Sequence, residues 1–194
     1  ARLGTGEEAP LNLDAIRTLL DRVSVLVIGP GLGKGADLTK SLIALLEESS
    51  LPVVLDADAI RLMAPHLDLL KKRQGPTVLT PHAGEMAALL ESTSADVQRA
   101  RRSSVLSAVE KTNSTVIFKG FNTLTAIPNG TIYLNPTGGP WMATAGSGDV
   151  LAGCIGGLIS QGLPPAEAAW VGVYVHGLAG DHLAQRIGRS GLVA

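Results

Sequence analysis

The chain has 194 residues, with 16 basic and 17 acidic side chains and a formal net charge of −1. That balance carries no basic footprint for nucleic acid or for an anionic membrane surface, and no apolar run is long enough to span a bilayer. A single cysteine, Cys154, rules out an internal disulfide and fits a reducing compartment, the cytoplasm. The chain opens at Ala1 without a Met, which leaves an organellar targeting segment open. Hydrophobic residues make up 45% of the chain but aromatics only 3%, so the core is aliphatic. The 23 glycines exceed the roughly 7% usual in globular proteins and point to backbone brought close to ligands or to other backbone.

Short apolar runs alternate with helical patterns. Val25 to Ile28 reads as a buried strand, stopped by Gly29-Pro30-Gly31-Leu32-Gly33, and Leu38, Leu42, Leu45 and Leu46 follow at helical spacing. Val53-Val54-Leu55 is a second strand ending at Asp56, and Thr77 to Thr80 a third ending at Pro81. One helix is expected from about Ala95 to Lys111, then a fourth strand over Thr115 to Phe118. Continuous aliphatic strands separated by helices imply an α/β fold with a mostly parallel central sheet and helices on both faces. Thr123 to Ile127 and Thr131 to Leu134, flanking Pro128-Asn129-Gly130, form a hairpin. Two helices close the chain, about Asp149 to Gln161 and Pro165 to Gln185. Gly153, Gly156 and Gly157 give the first a small face, and Ala168, Ala169, Gly172 and Ala179 do so for the second. No linker or repeat divides the chain, which reads as one domain over residues 1–194.

In such folds ligands gather beyond the carboxyl ends of the strands, and the residues that follow the strands are Gly31, Asp56, His82 and Lys119. The strongest chemical signal is Ala145-Gly146-Ser147-Gly148-Asp149 at the start of an apolar helix. Glycines there aim unpaired helix N–H groups at an anion, and the carboxylate of Asp149 stands beside them to take a proton from an attacking hydroxyl. The plainer reading makes Asp149 a helix cap. Gly29 to Gly33 matches neither the dinucleotide fingerprint nor a Walker loop. Asp56 is a candidate for a ligand or metal-water contact, with Asp58 capping the next helix. Lys119 is a phosphate contact or an edge-strand lysine. His176 and His182, six apart, do not share a helix face as metal ligands would. Lys71-Lys72-Arg73 and Arg99, Arg101, Arg102 read as solvated faces.

Several stretches in this order resemble the ADP/ATP-dependent NAD(P)H-hydrate dehydratases of the ribokinase-like superfamily. They are Val27 to Gly33, Leu55 to Asp58, Leu79 to Met86, Asn135 to Gly138, Met142 to Gly153 and Val173 to Asp181. The resemblance implies a ribokinase-like three-layer sandwich and a lyase that uses ADP or ATP with Mg²⁺ to restore hydrated NADH or NADPH. By motif, Asp149 is implied as the base and a substrate contact. Gly33 and His82 touch the hydrated dinucleotide, and Lys119, Gly120, Phe121, Asn122 and Thr123 lie along the nucleotide. Ala145, Gly146, Ser147 and Gly148 form the anion cradle, and Glu85 organises magnesium water. A homo-oligomer is implied as well. The chain departs from the family pattern at Gly138-Gly139-Pro140-Trp141, where Gly-Asn-Pro is usual, and at Ala83, where Pro is frequent. The family segment before the Val23 strand is absent or reduced to Ala1 to Asp21, and the end at Ala194 looks early. Two other readings stay open. One is a ribokinase-like kinase of a hydroxyethylthiazole or hydroxymethylpyrimidine alcohol, against which His82 counts because those kinases tend to carry Asn there. The other is a catalytically incomplete nucleotide-binding module.

Overall fold

The structure, a computed structural model, describes residues 9–188; residues 1–8 and 189–194, with Arg189 and the chain end at Ala194, lie outside them. The chain begins with α1 (Leu13–Leu20), whose Asn12 side chain caps the amide of Ala15. It continues through β1 (Leu26–Ile28), α2 (Ala36–Glu48), β2 (Val53–Leu55), α3 (Ala57–Met63), α4 (Leu67–Lys72) and β3 (Thr77–Leu79). Three helices follow, α5 (Ala83–Leu90), α6 (Ser94–Arg99) and α7 (Arg101–Thr112), and then β4 (Thr115–Phe118), β5 (Leu124–Ala126) and β6 (Ile132–Leu134). Helices α8 (Ser147–Ser160) and α9 (Pro165–Ile187) end it.

The six strands lie side by side in chain order, with β1 to β4 parallel and β4, β5 and β6 antiparallel. Because every parallel step goes the same way across the sheet, right-handed crossovers put all the intervening helices on one face. The strand alternation shows it. Val53, Leu55, Leu79, Val116 and Phe118 point into one core with Leu42, Leu46, Ile60, Met63, Met86, Val105 and Val109 of the crossover helices. Val54, Val78 and Ile117 point the other way, onto Leu151, Ala152, Ile155 and Ile159 of α8 and Ala168, Ala169 and Val173 of α9. The layers are therefore helix, sheet, helix. β4, flanked by β3 and β5, is a central strand, so Lys119 just after it is not an edge-strand lysine.

Two expected features differ. The stretch from Ala95 to Lys111 is two helices, broken at Ala100 (φ −118°, ψ 42°), and the side-chain hydroxyl of Thr93 caps the first. Of the small residues of α8 and α9, Gly156 meets Val27 of β1 and Gly172 meets Ile155 of α8, each leaving no room for a Cβ. Gly153 and Gly157 face open space, and Ala179 is exposed. The approach of α8 to the sheet and of α9 to α8 thus rests on Gly156 and Gly172, while Gly177 and Gly180 of α9 make room for Thr137 and Met142.

The expected solvated basic faces are corrected in part. Lys71 and Lys72 are exposed, but Arg73 is half-buried and donates to the carbonyls of Leu46, Ser49, Leu51, Gly75 and Pro76 and to the hydroxyl of Thr77. It satisfies the loop carbonyls at the amino ends of β2 and β3, far from the ligand edge.

Candidate active site

The carboxyl ends of the parallel strands open into a cavity of about 1170 Å³. Asp56 after β2, His82 and Glu85 at the start of α5, Lys119 after β4, the Gly120–Thr123 turn, the 137–144 loop, Ser147–Asp149 of α8 and His176 of α9 all line it. Of the residues singled out in the sequence, the cavity brings together His82, Glu85, Lys119, Gly120, Phe121, Asn122, Thr123, Ser147, Gly148 and Asp149. Gly33, Ala145 and Gly146 are not among its lining residues. Gly33 donates its amide to Asp58 Oδ2 at 3.0 Å, so Asp58, in the first turn of α3, ties the glycine turn to that helix and does not cap it.

The centre of the site is a buried ion pair. Asp56, 1% exposed, accepts at Oδ1 from Thr80 Oγ1 at 2.6 Å and from Lys119 Nζ at 2.7 Å. Lys119 Nζ also lies 3.9 Å from Glu85 Oε2. A Cβ built on Gly148 would stand 3.3 Å from Lys119 Nζ and 3.8 Å from Asp56 Oδ2, so this pair directly faces the first turn of α8. There Gly146 adopts φ 86° as the residue before the helix, a conformation that glycine takes without strain. In that turn the amide of Ser147 donates to the carbonyl of Thr144 at 3.3 Å and that of Val150 to the carbonyl of Gly146 at 3.0 Å, which leaves the amides of Gly148 and Asp149, with the ammonium facing Gly148, as the equipment for a phosphoryl group.

Asp149 occupies the first turn of α8, is exposed to the cavity, and caps nothing, for that helix has no side-chain cap hydrogen bond. The capping alternative is thereby set aside. His82 does cap. Its Nδ1 accepts from the amides of Gly84 and Glu85, and Glu85 Oε2 accepts from the amide of His82. Nδ1 acting as acceptor leaves the ring proton on Nε2, 3.1 Å from Glu85 Oε1. Glu85 is 2% exposed and keeps acceptor capacity toward the cavity. Three carboxylates, Asp56, Glu85 and Asp149, line the cavity against two cations, Lys119 and Arg61. A polyphosphate entering such a balance needs a divalent counter-charge. The donor set fits Mg²⁺, which keeps its waters and leans on phosphate oxygens.

Sequence reasoning missed three supports of this site. Arg101 was expected in solvent. Instead it is half-buried, with its guanidinium 4.3 Å from the centre of the Phe118 ring, donating to the carbonyl of Phe118 at 3.0 Å and reaching those of Lys119 and Asn122 at 3.5 Å. It holds the Lys119–Asn122 turn, in which Asn122 takes φ 53°. Replacing Arg101 with Met is expected to destabilise the fold by about 2 kcal/mol and to weaken nucleotide binding. Lys at this position should not restore it, because an ammonium cannot reproduce the planar fork; denaturant midpoints of the three proteins check this. The second support is Asp181, which accepts from the amide of Gly138 at 2.9 Å, while Thr137 donates to the carbonyl of Tyr174, pinning the 135–142 loop to α9. In that loop the glycine and the indole by which the chain departs from the family pattern belong together. A Cβ at residue 139 would lie 2.4 Å from the Trp141 indole, so Gly139 makes room for the ring.

The third support is His176, which faces the cavity and lies 3.2 Å from Ser147 Oγ through Nε2. Its signal in the sequence was its place in the Val173–Asp181 stretch, next to a glycine, not its spacing from His182. Burial pushes its imidazole below the ordinary value of 6.5. The native protein therefore holds it neutral, and the unfolded chain takes up its proton first as the pH falls. Its contribution to stability is full above 6.5 and is lost as the pH falls through the lowered native value. Between about pH 7.5 and about pH 5.5 the His176→Gln protein should lose less stability than the wild type, as read from urea midpoints.

The fold defines a class: an α/β sandwich of ribokinase-like architecture, here with a cavity at the carboxyl ends of its parallel strands that opens onto the start of α8. The ribokinase of Arabidopsis thaliana shares the fold, with a TM-score of 0.60 at 13% identity over 89% of this chain and 54% of that one. More narrowly, the family model described as NAD(P)H-hydrate dehydratase matches residues 6–194, and the chain belongs to that family. It is 44% identical over 187 residues to the bifunctional NAD(P)H-hydrate repair enzyme of Moorella thermoacetica, covering 95% of this chain and 35% of that protein. It is 40% identical over 188 residues to the ADP-dependent (S)-NAD(P)H-hydrate dehydratase of Neisseria meningitidis, covering 94% of this chain and 64% of that protein. The ADP/ATP-dependent NAD(P)H-hydrate dehydratase of Bacillus subtilis, co-crystallized with ATP and Mg²⁺, superposes with a TM-score of 0.78 at 30% identity, over 88% of this chain and 60% of that one. The chain thus spans about a third of the bifunctional relative's length and less than two thirds of the dehydratase's.

Proposed function

We propose that the chain is an ADP- or ATP-dependent NAD(P)H-hydrate dehydratase, acting as a single domain to return hydrated NADH or NADPH to the intact cofactor. The observation that carries the reading is the carboxylate of Asp149 on the first turn of α8, exposed to the same cavity as Lys119, whose ammonium faces Gly148 of that turn. Family membership supports the hydrate's C6 hydroxyl as the group that this carboxylate serves.

The chemistry follows from the leaving group. Hydroxide leaves a saturated ring carbon poorly, and phosphate leaves well. Asp149 accepts the proton of the hydrate's C6 hydroxyl as its oxygen attacks the terminal phosphorus of the nucleotide. The bond from that phosphorus to the nucleotide's bridging oxygen breaks, and the shortened nucleotide takes the electron pair. The lone pair of the ring nitrogen then expels the phosphate by breaking the C6–O bond, and loss of a proton from the adjacent carbon restores the ring double bond. Lys119 and the first-turn amides of α8 stabilise charge on the transferring group. When bound, Mg²⁺ supplies positive charge to the phosphate oxygens; Glu85 would hold it through water. Gly120 to Thr123 lie along the nucleotide, with Ala145 and Gly146 shaping the cradle from behind. His82 lies at the hydrated ring, and Gly33 belongs to the dinucleotide's path along the glycine turn.

The test is incubation with hydrated NADH and either ADP or ATP with Mg²⁺, following the return of dihydronicotinamide absorbance. Turnover on the hydrate is expected. Phosphate transfer only to a thiazole or pyrimidine alcohol would replace the reading with a vitamin-precursor kinase, and tight nucleotide binding without turnover would leave a binding module. A cytoplasmic homo-oligomer belongs to the same proposal, and sedimentation checks the assembly.

A further inference from the structure

We infer that His176 is a positioning residue that sets the polarity of the Ser147 hydroxyl, so that this hydroxyl donates to the phosphoryl group held at the start of α8. The inference rests on the proposed nucleotide site and adds a residue from the opposite helix to it.

Ser147 is the first residue of α8 and lines the cavity beside Gly148. His176 reaches it from α9, and both residues face the same space. The contact at 3.2 Å can run in either direction. If the hydroxyl donated to an unprotonated Nε2, its proton would be used up and its lone pairs would face the incoming anion. If Nε2–H donates to Oγ, the hydroxyl proton is free to point at phosphate, and a relay runs from imidazole through hydroxyl to phosphoryl oxygen. A negative charge in the cradle selects the second arrangement, because the hydrogen bond to the anion is charge-assisted. The half-buried ring needs no positive charge for this, since the neutral Nε2–H tautomer suffices. A serine hydroxyl has a free rotor. Once Nε2–H occupies one of its lone pairs, its proton stays aimed at the anion as charge moves onto the phosphoryl oxygens.

The α9 helix has a structural reason to be here as well. Its Asp181 and the carbonyl of Tyr174 anchor the 135–142 loop, which lines the cavity beside His176. His176 lies between those two anchors in the sequence and is the one of the three that touches the cradle.

The test compares wild type, His176→Leu, His176→Gln and Ser147→Ala, and the double variant His176→Leu/Ser147→Ala. ATP with Mg²⁺ is titrated calorimetrically, and thermal midpoints verify folding. His176→Leu should weaken ATP binding about tenfold. Gln, which keeps an N–H donor on a side chain of similar reach, should stay within about threefold of wild type. With the Ser147 hydroxyl gone, the further change to Leu at 176 should alter affinity less than about twofold. Equal losses from His176→Leu with and without the hydroxyl, no loss in either, or failure of Gln to restore affinity would overturn the inference. In the same series, wild type that binds ATP yet restores no dihydronicotinamide defeats the dehydratase reading and leaves the His176 result standing. Wild type that binds no ATP defeats both.

Discussion

Asp149→Asn is expected to lower turnover on hydrated NADH about a thousandfold while leaving nucleotide affinity within about twofold of wild type. The substitution is nearly isosteric and removes the proton acceptor together with one of the three negative charges of the cavity. It falls on a side chain that is exposed to the cavity and that caps no helix amide, so stability should stay within about 0.5 kcal/mol. Few site substitutions separate chemistry from folding so cleanly. Stopped-assay rates and nucleotide titration on the same preparation read both quantities. An Asn protein with wild-type turnover would remove Asp149 as the base, whatever the fate of the rest of the site.

Lys119→Met should have the opposite character and damage both fold and binding. The ammonium is the partner of Asp56, a carboxylate 1% exposed whose other bond at Oδ1 comes from Thr80. Leaving that carboxylate without its cation is expected to cost about 3 kcal/mol, because an unpaired buried charge loses its compensation while its desolvation remains. Pairing the change with Asp56→Asn should recover most of the stability, since both charges then disappear. Nucleotide affinity should not recover, because the cation facing the start of α8 is still missing. A loss of about a hundredfold is expected in the single and in the double variant. Urea unfolding and calorimetry distinguish the two effects. If the double variant bound nucleotide like the wild type, Lys119 would be a structural lysine only.

The division between what sequence reading reached and what it did not follows the physics of each residue. The strands were legible because β2, β3 and β4 are buried on both faces, which demands unbroken aliphatic runs such as Val53-Val54-Leu55 and Thr115 to Phe118. The hairpin of β5 and β6 was legible from Asn129-Gly130. The glycine turn into α8 was legible because the φ of 86° at Gly146 calls for glycine. Charged side chains were not, since a run of basic residues does not say which of its members turns inward. Arg73 and Arg101 do so because unfilled carbonyls lie within reach of a long, forked donor, and that is a property of the folded loops. Asp56 and Lys119 stand 63 positions apart, and only the parallel pairing of β2 through β4 brings them together. His176 was weighed as a metal ligand and set aside on its spacing from His182. The partner that matters, Ser147, lies on another helix. The break at Ala100 left no punctuation in the form of Gly or Pro, so one helix was expected where two form.

The most direct test of the account follows one oxygen atom. Hydrated NADH prepared with ¹⁸O in its C6 hydroxyl is turned over with unlabelled ATP or ADP, and the released inorganic phosphate is analysed by mass spectrometry. Phosphorylation of that hydroxyl followed by elimination predicts one ¹⁸O in each phosphate released. Phosphate free of label, with the ¹⁸O recovered in water, would mean that the hydroxyl departs on its own and that the phosphoryl-transfer site built from Asp149, Lys119 and the start of α8 is not where dehydration happens.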